Sequence, residues 1–490
     1  MGKTFLLTVM IFAGLLSINA QNREQLFSLK EMRPASAARS SVASVREAEI
    51  QINFANLLGR ESGRVSITLF NNKTYEAAQV SSEGFEARAI DDFTWRGKIV
   101  SGKFEGDVIL TAKKGHMSGL IYSPDAVYEI TPRGDKNILM ELDQRLFPPC
   151  GGGVSGEAGK ANAQPEAALT GVDSSDRIDV IVLYTTATKN TVGGDIQAQT
   201  IAQQAVDAAN TAYRNSKIRQ RLRLVLSQEN VYTEVDPNTD LSNLRNNTAV
   251  QALRNSKQAD LVDMMEETTA VCGIGYLMGT VSTGSQNNGF TVTARSCAVG
   301  NLSFAHELGH NMGSAHNPES GSGASFPYGY GHWVNGSYRT VMSYVDPCTA
   351  GCARVAYFSN PAIIFNGVPT GVDNARDNAR SIENTADTIA NYRYSGTSLT
   401  LNSLNAGETV PRNISRSISW STDNLVGGNV KIELSRDEST NWETLIASTP
   451  NDGLEVINIT GRPTRRARLR ITSIENPTIG DSSVRNFVIK

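Results

Sequence analysis

The stretch His306-Glu307-Leu308-Gly309-His310-Asn311-Met312-Gly313-Ser314-Ala315-His316 decides the reading of this chain. It has the form H-E-x-x-H-x-x-G-x-x-H, and five fixed residues at fixed spacing arise by chance on the order of once in millions of positions. His306 and His310 stand four residues apart, so on a helix both imidazoles leave one face and can share a metal ion. Glu307 lies beside them, able to reach water at that ion without binding it. Gly313 can take the left-handed conformation that ends a helix, which turns the chain and returns His316 as a third ligand. Three imidazoles leave a fourth tetrahedral position open for water, the arrangement of a catalytic rather than a closed structural site. A buried histidine is ordinarily a satisfied core residue. Here the chain has five histidines, and three of them occupy these positions.

Downstream, Arg339-Thr340-Val341-Met342-Ser343-Tyr344 offers a methionine whose soft side chain can floor the histidines. Together the two stretches resemble the metzincin clan of zinc proteases, whose extended zinc pattern and Met-turn they match. The resemblance implies one catalytic Zn2+ on His306, His310 and His316, with Glu307 as general base and Gly313 and Met342 as structural residues. It also implies that Tyr344 sits beside the zinc and ligates it or stabilises the oxyanion. Arg177-Ile178-Asp179-Val180 and Cys272-Gly273-Ile274-Gly275-Tyr276 extend the likeness to secreted reprolysin-like (adamalysin-type) proteases. Two residues depart from it: Asn317 stands where adamalysins usually carry Asp, and Ser343-Tyr344 is closer to serralysins.

At 490 residues the chain has room for about three domains. A net charge of −3 gives no reason to expect nucleic acid or a membrane surface as partner. Residues 1–20 read as a secretory signal peptide, with Lys3 ahead of an apolar core and a small-residue cleavage site. No other segment reaches the roughly 20 apolar residues of a membrane span. The expected location is therefore extracellular, where disulfides persist. The five cysteines are Cys150, Cys272, Cys297, Cys348 and Cys352. The last four allow three pairings, of which Cys272–Cys297 with Cys348–Cys352 is preferred because each closes a local loop. Cys150 is left over. It is a surface thiol, a disulfide to another chain or, as likeness to metzincin zymogens implies, an inhibitory zinc ligand in the fourth position.

The expected architecture is multidomain, α/β plus all-β. Residues 21–150 alternate apolar and polar, as in Glu49-Ile50-Gln51-Ile52, and form a β-rich unit loosely resembling a reprolysin pro-domain. Residues 151–176 are rich in Gly, Ala and Ser and read as a flexible linker open to an activating cleavage. Residues 177–395 alternate strands with helices, giving a metzincin α/β zinc-protease domain whose zinc helix starts near Ser303 as N-cap. Residues 396–490 are short strands between Gly, Asn and Asp turns and read as an immunoglobulin- or fibronectin-like sandwich. Arg466, Arg468 and Arg470 share one strand face there, read as a solvated surface. Residues 373–378 could carry a structural Ca2+ but match no EF-hand spacing, so a loop leading into a helix cap is preferred. His116 and His332 are read as non-ligands.

The expected activity is that of a secreted zinc endopeptidase, made as a latent zymogen and acting on proteins or peptides. The alternatives are a weak or inactive metzincin serving as an extracellular binding or adhesion module, and a surface protein with a structural zinc. The intact Glu307 and the open fourth position argue against them. No feature of the sequence specifies an oligomeric state or a preferred cleavage site.

Overall fold

The computed structural model describes residues 25–32, 39–58, 63–81, 83–89, 91–101, 104, 106–155, 177–320, 323–393, 399–404, 407–422, 426–475, 477 and 479–490. The signal-peptide reading and most of the linker lie outside them. The protein is rich in strands with few helices, arranged around a mixed six-stranded sheet.

The central sheet has six strands in the order 153–155, 273–277, 290–294, 261–266, 177–185, 221–230. Arg177–Thr185 lies in its interior and is buried along its whole length, as expected of a strand paired and covered on both sides. Its neighbours Arg221–Asn230 and Leu261–Glu266 run parallel to it. Phe290–Ala294 continues the parallel set, and Gly273–Leu277 then reverses direction. The histidine helix Ser303–Asn311 packs beneath these last two strands and beside the long helix Asp195–Asn215. A third helix, Asn378–Ala390, is capped by Asp377, whose carboxylate accepts from Arg380 N. That matches the loop-into-cap reading of residues 373–378.

Two local expectations differ from the structure. The cap of the histidine helix is Leu302, in the left-handed region at φ 53°, and Ser303 is its first residue. Ser303 Oγ is instead engaged by Asn301 Nδ2. The start of the presumed linker is also ordered: Gly153–Ser155 forms a strand on the edge of the sheet, parallel to Gly273–Leu277.

Residues 27–142 build a ten-stranded antiparallel sheet. Its middle strands are buried on both faces, so the alternation visible at Ser44–Ile52 vanishes there. Val108 and Leu110 enter the sheet's own core, while Ile109 points into the core around helix Asp195–Asn215. Leu120, Ile138 and Met140 do the same. Burying each such side chain contributes about 1.5–3 kcal/mol, so the two units share one apolar interior. A polar cluster lies in the same interface. Asp207 of the helix accepts from Arg96 Nη2 at 2.7 Å and Thr111 Oγ1 at 2.6 Å, both on the sheet.

Residues 399–489 carry a separate core, including Trp420, Ile432, Leu469 and Phe487, between a three-stranded and a six-stranded sheet. Arg466 and Arg470 are ion-paired with Glu438 and Glu433 on this unit, and Arg468 donates to Asn486 Oδ1. That pairing accounts for their shared face without a polyanion.

Two outcomes follow from this packing. Asp207→Ala leaves the buried Arg96 guanidinium with only the more exposed Glu86 as counter-charge, a loss of up to about 3–5 kcal/mol, and calorimetry of the full chain should show a melting point lowered accordingly. The double substitution Arg96→Met with Asp207→Leu should recover most of it, since the unpaired charge is the cost. Once cleaved within residues 151–176, a chain ending at Ser395 should stay soluble and cleave small peptides at close to the rate of the equally cleaved longer chain, because the C-terminal core shares no residue with the other cores. Loss of peptide cleavage in that folded shorter chain would show the C-terminal unit to be part of the active site.

Candidate metal centre

The helix and the turn after it bring the three histidines together. His306 and His310 leave one face of Ser303–Asn311, and Gly313 at φ 73° turns the chain back. His306 Nε2 and His310 Nε2 each lie 3.1 Å from His316 Nε2. The opposite ring nitrogens are committed: His306 Nδ1 donates to Val341 O at 2.8 Å and His310 Nδ1 to Ser314 O at 2.9 Å. Those bonds set the tautomer that leaves Nε2 lone pairs for a metal. Burial keeps all three rings neutral, holding His310 near about 4, His316 near about 2 and His306 well below its usual value. Neutral, convergent imidazoles fit a divalent cation.

Around them stand the other expected residues. Met342 is fully buried and packs against the helix at Gly309. Tyr344 stacks on His316 at 3.9 Å between centroids. Asn317, at the departure from the adamalysin pattern, accepts from Tyr344 N at 2.9 Å through its side-chain carbonyl. It thereby ties the third-histidine turn to the segment beyond the Met-turn. Glu307 is fully buried, and neither carboxylate oxygen has a hydrogen-bond partner among the described residues. Burial raises its pKa to about 8, with the neighbouring Cys150 thiol and the Arg354 charge acting the other way.

Gly273 at the start of the edge strand makes room for Glu307: a Cβ there would lie 2.6 Å from Glu307 Cγ. This strand was missing from the strand pattern of the sequence, because Gly-Ile-Gly-Tyr-Leu has no clear alternation. Cys272, just before it, is bonded to Cys297, and Cys348 to Cys352.

Cys150 is the free cysteine, and its Sγ lies 3.8 Å from His310 Nε2. One ligand atom from each of Cys150, His306, His310 and His316 falls within 4.8 Å of the others. The flanking chain lies along the edge strand: Cys272 N donates to Pro149 O at 2.8 Å and Gly151 N to Gly273 O at 2.7 Å. Tyr344 Oη donates to Cys150 O at 3.2 Å. His116 and His332 are not among the clustered ligands.

Two further residues had no signal in the sequence. Arg339 and Arg354 are almost fully buried behind the Met-turn, and both donate to Ser343 O. Arg354 lowers His306, His310 and His316, so its charge reaches the metal centre.

This helix, its glutamate and the Met-turn define a metallopeptidase. The sequence pattern of metallopeptidase family M12 matches residues 174–359. Two proteins from Stenotrophomonas maltophilia named peptidyl-Asp metalloendopeptidase are 32% and 30% identical, over 58% and 59% of this chain and 70% and 71% of their own lengths. A third of that name, from Xanthomonas campestris, is 29% identical over 61% of this chain and 73% of its own. The chain belongs to metallopeptidase family M12 and is a metalloendopeptidase of the metzincin type.

Glu307→Gln should retain bound metal, since all three imidazoles are untouched, and lose about 10²–10⁴-fold in kcat. Metal content by atomic absorption and turnover of a quenched peptide, measured on one preparation, check both halves. Near-normal turnover in the metal-loaded variant would remove Glu307 from the chemistry.

Proposed function

We propose that the protein is a secreted zinc endopeptidase that cleaves proteins beside aspartyl residues and is made as a latent precursor. The observation that carries this reading is the convergence of three neutral Nε2 atoms beside a buried, unpartnered carboxylate. His306, His310 and His316 would hold the zinc, which supplies Lewis acidity toward water and the substrate carbonyl. Glu307 takes the proton from the attacking water and returns it to the leaving amine. The Tyr344 hydroxyl donates to the oxyanion as it develops. The aspartyl preference follows the names of the relatives.

Latency rests on the path of residues 149–155. They lie on the free edge of Gly273–Leu277, where an extended substrate would add a strand. Cys150 brings a thiol to the three imidazoles, and a zinc-bound thiol is deprotonated. In this reading residues 1–20 are a signal peptide, 21–150 a pro-domain and 151–176 the stretch in which activation cuts. Residues 177–395 are the catalytic domain, and 396–490 an immunoglobulin- or fibronectin-like sandwich.

The test is turnover of quenched peptides by the processed protein, with and without a zinc chelator, and restoration by added zinc. Activity indifferent to chelation would end the zinc reading. Cys150→Ala should make the uncleaved precursor measurably active where the wild-type precursor is silent. If that variant is as silent as wild type, the thiol is not the lock.

A further inference from the structure

Arg339 and Arg354 are two buried cations with no carboxylate in direct contact among the described residues. Arg354 is 4% exposed and Arg339 3%. Neither forms an ion pair among the described residues, whereas the buried Arg96 pairs with Asp207 and Arg295 with Glu267. Their hydrogen bonds go to neutral oxygens. Arg354 Nη1 donates to Asn301 O at 2.8 Å and Nη2 to Ser343 O at 3.1 Å. Arg339 Nη1 donates to Ser343 O at 3.0 Å and Nη2 to Asn301 Oδ1 at 3.2 Å. The Nε of each is buried and unpartnered. A buried charge without a counter-charge is costly, and the cost is retained where the charge has a use.

The place is significant. Ser343 precedes Tyr344, which stacks on His316, and Asn301 Nδ2 bonds Cys272 Sγ, at the head of the edge strand. The cations thus lie behind the part of the cleft bounded by Cys272 and Tyr344, next to the reacting centre. Arg354 is also held from the N-terminal unit: Gln144 Oε1 accepts from Arg354 N at 2.6 Å, and Gln144 Nε2 donates to Arg354 O at 3.4 Å. Gln144 thus grips the Arg354 backbone from the same N-terminal segment that carries Cys150.

We propose that Arg354, with Arg339 adding its charge from behind, receives the carboxylate of an acidic substrate residue beside the scissile bond. An arginine with a free Nε and only part of its Nη hydrogens used can meet a carboxylate through a two-toothed contact. The substrate then supplies the carboxylate, and Arg354 is the residue that selects it. The inference rests on the aspartyl reading above and names the residue that enforces it.

The experiment uses the processed, zinc-loaded protein and quenched peptides identical but for Asp or Asn beside the cut, placed on each side in turn. The quantity read is the ratio of kcat/KM for the Asp and Asn peptides, which cancels any loss of fold or metal shared by both. Wild type should favour Asp by about 10–100-fold on one side, the range of a charge-assisted hydrogen bond. A wild-type ratio near one ends the aspartyl reading itself. Given a wild-type preference, Arg354→Met should bring the ratio close to one, and Arg354→Lys should lower it several-fold while keeping its direction, since lysine keeps charge without the fork. A purely structural arginine would slow both peptides alike. An unchanged ratio in folded Arg354→Met, or in Arg354→Lys if the methionine variant does not fold, overturns the assignment while leaving the aspartyl reading intact.

Discussion

His306 and His310 each bring Nε2 to within 3.1 Å of His316 Nε2, and like groups packed that closely hold only if the rings stay neutral and are fixed from behind. The fixing comes from two carbonyls far apart in sequence, Ser314 O on the turn and Val341 O on the Met-turn. Neither can move without tilting a ring. That constraint explains why residues 312–317 turn on Gly313, why Met342 is sealed under the helix, and why Asn317 is tied to Tyr344 N. The Met-turn in turn anchors the two arginines through Ser343 O, so the catalytic centre and the wall beside it form one hydrogen-bonded body.

Much of this centre was legible in the sequence because ligand spacing on a helix is a local property. The same holds for the strand Arg177–Thr185 and the helix Asp195–Asn215, whose patterns sit within single short windows. What was not legible depends on partners distant along the chain. Gly273–Leu277 is a strand because a neighbour strand and the histidine helix receive it, and its glycines are there for Glu307 and not for turn-making. Residues 151–155 have a linker's composition, yet become a strand because a free sheet edge is waiting for them. Ser303 was misplaced as a cap because a cap preference is weak beside the tertiary bond its hydroxyl makes. Arg339 and Arg354 carried no sequence mark at all, since only the fold shows that a charge is buried and unpaired.

The N-terminal sheet shows the same principle on a larger scale. Val108, Ile109 and Leu110 read as one apolar run, but successive residues serve two different cores. A strand apolar on both faces is the mark of a sheet covered on both sides, and here the second cover is the long helix of the metallopeptidase core.

That helix also carries polar side chains into the apolar interior it shares with the sheet. Gln204 donates to Ile109 O at 3.0 Å, Gln197 to Gly134 O at 2.6 Å, and Asp207 gathers Arg96 and Thr111. A permanent core would fill such positions with Leu and Val. The seam between sheet and helix therefore fixes one register as well as burying area, since each of these polar bonds closes only when helix and sheet meet in that one alignment.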